Sequence, residues 1–395
     1  MKRSLRVSLG PLIEFLQTES AGGVVLVVAS ALALAWANID HAGYDAFWSQ
    51  PVGPDDWPLA LDLHHWINDG AMALFFFVVG LEIKREFVDG ELRRPRQAAL
   101  PVIAALGGMV APALIYFALN PTGEAARGWG IPMATDIAFA VGVLALAGPH
   151  LSVGLKVFLL SFAIVDDIGA IAVIAIFYSA GIDPLWLALA GLACAAFRAT
   201  WRLDRGISRS AMLLLLGCAA WLAVHNSGVH ATIAGVALGF LVPAAPAATP
   251  SAAERLAHTL HPWTSFVIVP LFALANAGVA VDVSSLGQAA ASPVAMGIFL
   301  GLLVGKIVGI SGAAYAAVKL NVAVLPKGVT WTQVLGAATL GGIGFTVSLF
   351  ITQLAFTDAA TTASAKISIF AASLVAAVVG FTVLRIARPQ VATDD

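Results

Sequence analysis

Four ionisable side chains lie deep inside apolar stretches of this sequence: Asp136, the consecutive pair Asp166 and Asp167, and Lys306. A charge at bilayer depth costs about 2.5–3.5 kcal/mol on insertion scales, so each one is a functional hypothesis by default. Burial disfavours the charged form of acid and base alike, a neighbouring like charge adds to the effect, and a neighbouring opposite charge reverses it. Two carboxylates and one lysine in a low-dielectric setting therefore make a site able to exchange protons in the physiological range. Consecutive helical residues diverge by about 100°, so one aspartate of the pair can face a cavity while the other faces a partner helix. Asp136 follows Pro132 and Ala134-Thr135. A proline inside a span breaks the backbone ladder and frees carbonyls. Freed carbonyls, a threonine hydroxyl and carboxylates are hard oxygen ligands, suited to a small hard cation such as Na⁺ or Li⁺. The competing reading is a buried ion-pair network that only fixes helix packing. Buried pairs stabilise poorly, and three acids against one base leave charge unmatched.

The elements that must hold these groups follow from composition. Of 395 residues 59% are hydrophobic and 11% charged, with a mean hydropathy of +0.90, which excludes a soluble globule. Short alternating strands of the β-barrel type are missing from the sequence. Apolar runs of spanning length predict about twelve helices: Ala21–Ala37, Trp66–Ile83, Ala98–Ala118, Gly128–Leu146, Val153–Tyr178, Pro184–Phe197, Met212–Val224, Gly228–Val242, Phe266–Val281, Pro293–Val318, Trp331–Leu354 and Thr361–Leu384. The whole chain, 1–395, reads as one integral membrane domain. The first apolar run reads as an uncleaved span, because Pro11, Glu14 and Glu19 separate it from the basic start. The 243–262 stretch, opening on Pro243-Ala-Ala-Pro-Ala-Ala-Thr-Pro250, reads as a cytoplasmic linker between two membrane halves.

Charge placement orients the chain. With the N-terminus inside, eighteen of the 21 Lys and Arg residues fall on the inner side, from Lys2, Arg3 and Arg6 to Arg385 and Arg388, leaving Arg127 and Lys366 outside. The first outer loop, Asn38 to Asp62, carries five aspartates and no Lys or Arg. Both termini are thus placed in the cytoplasm. A net charge of −2 without a basic tail gives no reason to expect a nucleic-acid partner. Cys194 and Cys218 lack metal or redox spacing and read as packing residues. Gly128-Trp-Gly-Ile-Pro132 opens one span and Gly341-Gly-Ile-Gly344 interrupts a late one. Paired interruptions in two halves are the sequence pointer to inverted repeats with broken helices.

A second charged group, Glu82, Lys84, Arg85 and Glu86, closes the second span, with Glu82 and Glu86 at i,i+4 on one face. It reads equally well as an interfacial helix end or as a sensor of cytoplasmic pH. His258 and His261 sit near the same side, where histidine titrates near neutrality, though helix-end histidines are more often bystanders. His230 is equally ambiguous, His64 and His65 read as interface residues, and Asp69 reads as an N-terminal cap.

Gly80-Leu-Glu-Ile-Lys-Arg-Glu86, Ala134-Thr-Asp-Ile-Ala-Phe139, Val165-Asp-Asp-Ile-Gly169, His258-x-x-His-Pro-Trp263, Phe272-Ala-Leu-Ala-Asn-Ala-Gly278, Gly305-Lys306 and Gly341-Gly-Ile-Gly-Phe-Thr346 together resemble the bacterial NhaA family of sodium/proton antiporters, in order from about Gly22 to Leu384. The resemblance implies an all-α polytopic fold of twelve helices with inverted-topology repeats and two interrupted, crossed helices. It also implies a cytoplasmic funnel ending near the paired aspartates. By the same match Asp166 and Asp167 would bind the cation and the protons, and Lys306 would pair with Asp166 or take part in proton release. Asp136 would compensate exposed helix ends, with Thr135 beside it, and Glu82, Arg85, Glu86, His258 and His261 would form the pH-response region. One departure stands out: where the family often has an acidic residue before the His-x-x-His pair this chain has Ala257, with Glu254 three residues earlier as a substitute.

The function expected is secondary-active export of Na⁺ or Li⁺ against imported protons, serving sodium and pH homeostasis from the inner membrane of a bacterium. Protonated and cation-loaded carboxylates would be alternative states. The resemblance adds electrogenic, pH-regulated transport and a homodimer contact through the first outer loop. Neither enzyme chemistry nor a cofactor is expected, and no phosphate-binding Gly-x-x-x-x-Gly-Lys-Ser/Thr is present. A proton-coupled solute symporter is the alternative, and an intramembrane aspartyl protease, which would want Gly-x-Gly-Asp, is the rival from another class.

Overall fold

A computed structural model describes residues 10–53, 60–148, 151–179, 181–203, 206–244 and 250–387, without the side chains of 10–20 and 91. Of the sequence readings, Lys2, Arg3, Arg6, Arg205, Arg388, Asp55, Asp56 and the 245–249 part of the linker lie outside the described residues. So do the side chains of Pro11, Glu14 and Glu19.

Among the described residues the regular structure is helical, with one two-stranded antiparallel pairing, Pro51–Val52 with Leu61–Asp62, in the loop between the first two spans. Hydrocarbon offers no partner for a backbone amide, so spans must close their hydrogen bonds within themselves. Seven helices are long and apolar enough to cross: Ala21–Ile39, Leu63–Val88, Pro95–Leu119, Val153–Phe177, Ile207–Asn226, Pro293–Lys319 and Ala359–Ile386. Two bent helix pairs are apolar enough to cross when taken together, Glu124–Met133 with Ile137–Ala147, bent by 40°, and Trp331–Leu340 with Phe345–Ala355, bent by 45°. Pro184–Thr200 and Thr232–Leu241 are shorter apolar helices. Side chains of Ser152, Asp183, Ser292, Thr330 and Asp358 accept a backbone N–H at the starts of their helices, the usual way of satisfying an orphan donor.

The structure adds two short helices that the apolar-run reading did not contain, His41–Trp48 and Val283–Ala291, and it differs from that reading in one longer stretch. Residues 252–276 form a single helical run, Ala252–Trp263, a π-helical turn at Thr264–Ile268 and Val269–Asn276, where a polar connector to Thr264 and a span from Phe266 to Val281 were expected. The first part escapes hydropathy because it is amphipathic: Ala253 and Ala257 are buried while Arg255 and His258 are exposed. A capping box of Ser251 and Glu254 starts it, and 277–282 is not helical.

Close backbone approach holds the middle of the molecule. Pro95–Leu119 packs on Lys306–Lys319 so tightly that a Cβ at Gly309 would stand 2.1 Å from the carbonyl oxygen of Gly107. Small residues at such crossings let helices associate in lipid, where no hydrophobic force separates protein from tails. Gly309→Leu is expected to destabilise by about 1–3 kcal/mol, the usual range for overpacking. A lowered melting temperature in detergent would register this, and an unchanged one would refute the packing account.

After the first span, the Tyr44 hydroxyl lies 2.8 Å from the carbonyl of Leu274 and 2.7 Å from that of Ala275, and it accepts from the N–H of Gly278. It thereby ties down the end of the Val269–Asn276 helix. Asn68 and Asn276 exchange amide hydrogen bonds beside it.

Candidate functional site

The two helix breaks meet. The N–H of Asp136 donates to the carbonyl of Ile343 at 2.6 Å, joining the 134–136 interruption to the 341–344 interruption. Asp136 then serves two helix starts at once. One carboxylate oxygen accepts from the N–H of Phe139, capping Ile137–Ala147, and the other accepts from the N–H of Thr346 at 3.1 Å and its hydroxyl at 2.6 Å, at the start of Phe345–Ala355. Helix N-termini carry partial positive charge and unpaired donors, so one buried carboxylate at 3% exposure answers both. The Ser348 hydroxyl donates to the carbonyl of Ile131, completing the junction. The sequence reading reached Asp136 but assigned nothing to Thr346 or Ser348.

Asp166 and Asp167 point in different directions from the buried middle of Val153–Phe177. Asp166 forms an ion pair with Lys306 and lies 2.6 Å from the hydroxyl of Thr135. That hydroxyl accepts from Lys306 Nζ at 3.1 Å and also stands 2.8 Å from the carbonyl of Gly341, at the end of Trp331–Leu340. Lys306 is fully buried, and a π-helical turn at Gly301–Gly305 immediately precedes it. Asp167, 8% exposed, instead lines a cavity. One carboxylate oxygen of each aspartate is buried without a hydrogen-bond partner. The left-open choice between cavity and partner helix is thus resolved in geometry: Asp167 takes the cavity and Asp166 the helix bearing Lys306.

Besides Asp167 the cavity is lined by Glu82, Thr135, Asp136, His261, Thr264, Ser265 and Thr346 over an otherwise apolar wall that includes Leu26, Phe75 and Val79. Four of these lining residues, Thr135, Thr264, Ser265 and Thr346, carry hydroxyls. His261 Nε2 lies 3.9 Å from Glu82. Arg85 contacts Glu86 at 4.0 Å, and His258 is exposed; these three are not among the lining residues. Glu254 accepts from the N–H of Ser251 at 2.6 Å, so one of its oxygens takes part in the capping box at the helix start, one turn before buried Ala257.

A third group was only half visible in sequence. Asp69, read as a cap, instead sits between His225 at 3.8 Å and His230 at 3.5 Å, and its carbonyl accepts from the indole of Trp221. His225 stacks on Trp221. Its place five residues before His230 at the end of a span was the available signal. Asp62, rather than Asp69, caps the short helical turn at Leu63–His65.

A helical membrane protein whose two broken helices meet around buried carboxylates has the architecture of a secondary transporter. Known proteins narrow this: the family model described as Na⁺/H⁺ antiporter 1 matches residues 13–384. The chain belongs to that family. It is 47% identical to the Na⁺/H⁺ antiporter NhaA 3 of Frankia alni, over 94% of this chain and 88% of that one. It is also 47% identical to the Na⁺/H⁺ antiporters NhaA of Serratia proteamaculans, over 96% and 98%, and of Yersinia pseudotuberculosis, over 95% and 96%.

Proposed function

We propose that this protein exports Na⁺ or Li⁺ in electrogenic, pH-regulated exchange for protons across a bacterial inner membrane, with both termini in the cytoplasm. The observation that carries the reading is the division of labour between the paired aspartates. Asp167 lines a cavity that Glu82 and His261 also line, whereas Asp166 is held by Lys306 and Thr135. A cation and a proton compete for Asp167, and a second proton is assigned to the Asp166–Lys306 pair. One exported cation against two imported protons moves net positive charge inward, so the membrane potential drives the cycle. Asp136 keeps the junction of the broken helices neutral enough to persist, with Thr135 beside it. Glu82 and His261 at the cavity, with Arg85, Glu86 and His258 further along the same side, respond to cytoplasmic pH.

Several features support the remaining architecture. Taking each broken pair, each shorter helix and the 252–276 run as one span brings the total to twelve, in keeping with termini on one side. The meeting of the 134–136 and 341–344 breaks fits two crossed, interrupted helices related by inverted repeats, and the 243–262 stretch would join the two halves from the cytoplasm. The outer hairpin offers an edge for a homodimer contact. Transport rather than catalysis is the role, without a cofactor.

The test is dissipation of an imposed ΔpH in inside-out vesicles on addition of Na⁺, Li⁺ or K⁺ between pH 6 and 9. Dissipation by Na⁺ or Li⁺ that quickens when a permeant ion short-circuits the membrane potential is the expected result, because the net charge moved otherwise builds an opposing potential. Folded protein that answers none of the three cations would remove the reading.

A further inference from the structure

We propose that Thr264 and Ser265 form an entry-side oxygen cradle that takes over part of the hydration shell of the transported monovalent cation on its way to Asp167. The inference rests on the exchange function proposed above and adds two specificity-determining residues to it.

Position comes first. The helical run 252–276 is interrupted at Thr264–Ile268 by a π-helical turn, a local irregularity found frequently at functional sites. Regular helix would send consecutive side chains about 100° apart. Here Thr264 and Ser265 both line the cavity that Glu82 and Asp167 share. Both are buried, at 4% and 8% exposure, in a wall whose other members include Leu26, Phe75 and Val79.

Chemistry comes second. Thr264 Oγ1 is 2.8 Å from the carbonyl of His261, and a carbonyl only accepts, so the hydroxyl proton is spent there. What the oxygen then offers is lone pairs. A hydroxyl held this way is a fixed hard ligand, the type that suits small hard cations. Ser265 is pressed from the other side by the first helix, where a Cβ at Gly22 would come within 3.0 Å of Ser265 Cβ and 3.2 Å of its carbonyl oxygen, so the serine has little freedom to withdraw. The carboxylate of Asp167, which lines the same cavity, supplies the negative charge that a cation is to meet. Neutral hydroxyls alone would not hold a cation. Their place is to replace departing waters while the carboxylates supply charge, and the smaller, more tightly hydrated Li⁺ gains more from this than Na⁺. A threonine bonded to the carbonyl three residues back is also a common helix-bending device, and that bland role predicts an effect on stability with no dependence on the cation.

The experiment compares Thr264→Val, Ser265→Ala and the double variant with the parent protein in proteoliposomes, titrating Na⁺ and Li⁺ at one pH where the parent is fully active. In the double variant the Na⁺ concentration for half-maximal rate should rise about fivefold, an amount in keeping with one lost ligand. For Li⁺ the rise should be larger, and Thr264→Ser should restore the parent value. Unchanged half-maximal concentrations, or a loss of rate and melting temperature without any change in them, would overturn the proposal. Should the parent show no cation-dependent exchange, the exchange function falls first. The cradle is then decided by Na⁺-dependent thermal stabilisation of purified protein: a shift present in the parent and reduced in the double variant supports it, and an equal or absent shift refutes it.

Discussion

Asp167→Asn should abolish cation-dependent ΔpH dissipation while leaving the protein folded, a loss of about 100-fold or more, as expected when a charged ligand is removed from a low-dielectric site. Asparagine keeps the size and one oxygen of the side chain but cannot ionise, so it can neither neutralise a bound cation nor exchange a proton for it. Stability should hold, because Asp167 lines the cavity and stands outside the ion pair of Asp166 with Lys306. Two readouts check this together. Purified parent protein should melt at a higher temperature in Na⁺ than in choline, since a ligand that binds only the folded state stabilises it, and Asp167→Asn should lose that difference while keeping its own melting temperature. Full exchange activity in the variant would refute the assignment of Asp167.

The residues at the heart of that prediction were legible because membranes make polarity conspicuous. A charge inside an apolar run has few innocent explanations, and Asp136, Asp166, Asp167 and Lys306 stood out for that reason alone. The helix breaks were legible for a similar reason, since Pro132 and the glycines from Gly341 to Gly344 interrupt hydropathy visibly. The rest depends on rotation about helix axes. Which aspartate meets Lys306 turns on the orientation of Val153–Phe177 against a helix whose own phase is shifted by the π-helical turn at Gly301–Gly305, and nothing in residue type signals such a turn. Thr264 and Ser265 were hidden for the same cause, lying at the edge of an amphipathic segment that hydropathy assigns to a connector. The pairing of Asp69 with His225 and His230 joins residues far apart in sequence. Family resemblance supplied expected roles for several side chains, but it had no counterpart for the departure at Ala257, and only the structure shows the nearby Glu254 engaged in a capping box.

Lys306→Gln should destabilise the protein strongly, by about 3–5 kcal/mol, the range for removing one partner of a buried ion pair. The cause is not the attraction lost but the carboxylate left behind. Asp166 is 1% exposed and would retain only the hydroxyl of Thr135 at 2.6 Å, with its second oxygen already unpartnered. Asp166→Asn should do comparable harm from the other side, stranding an ammonium that is fully buried. The double variant Asp166→Asn/Lys306→Gln is the decisive protein. It leaves no charge unpaired, and replacing a buried pair by neutral groups of similar size often costs little, so its melting temperature should lie above that of either single variant. Melting temperatures of the four proteins in detergent across pH give the cycle. In Lys306→Gln the deficit should shrink as pH falls, because protonation of Asp166 removes the stranded charge. Additive losses in the double variant, with no pH dependence in Lys306→Gln, would mean that the pair is packing filler and that its proton has no part in exchange.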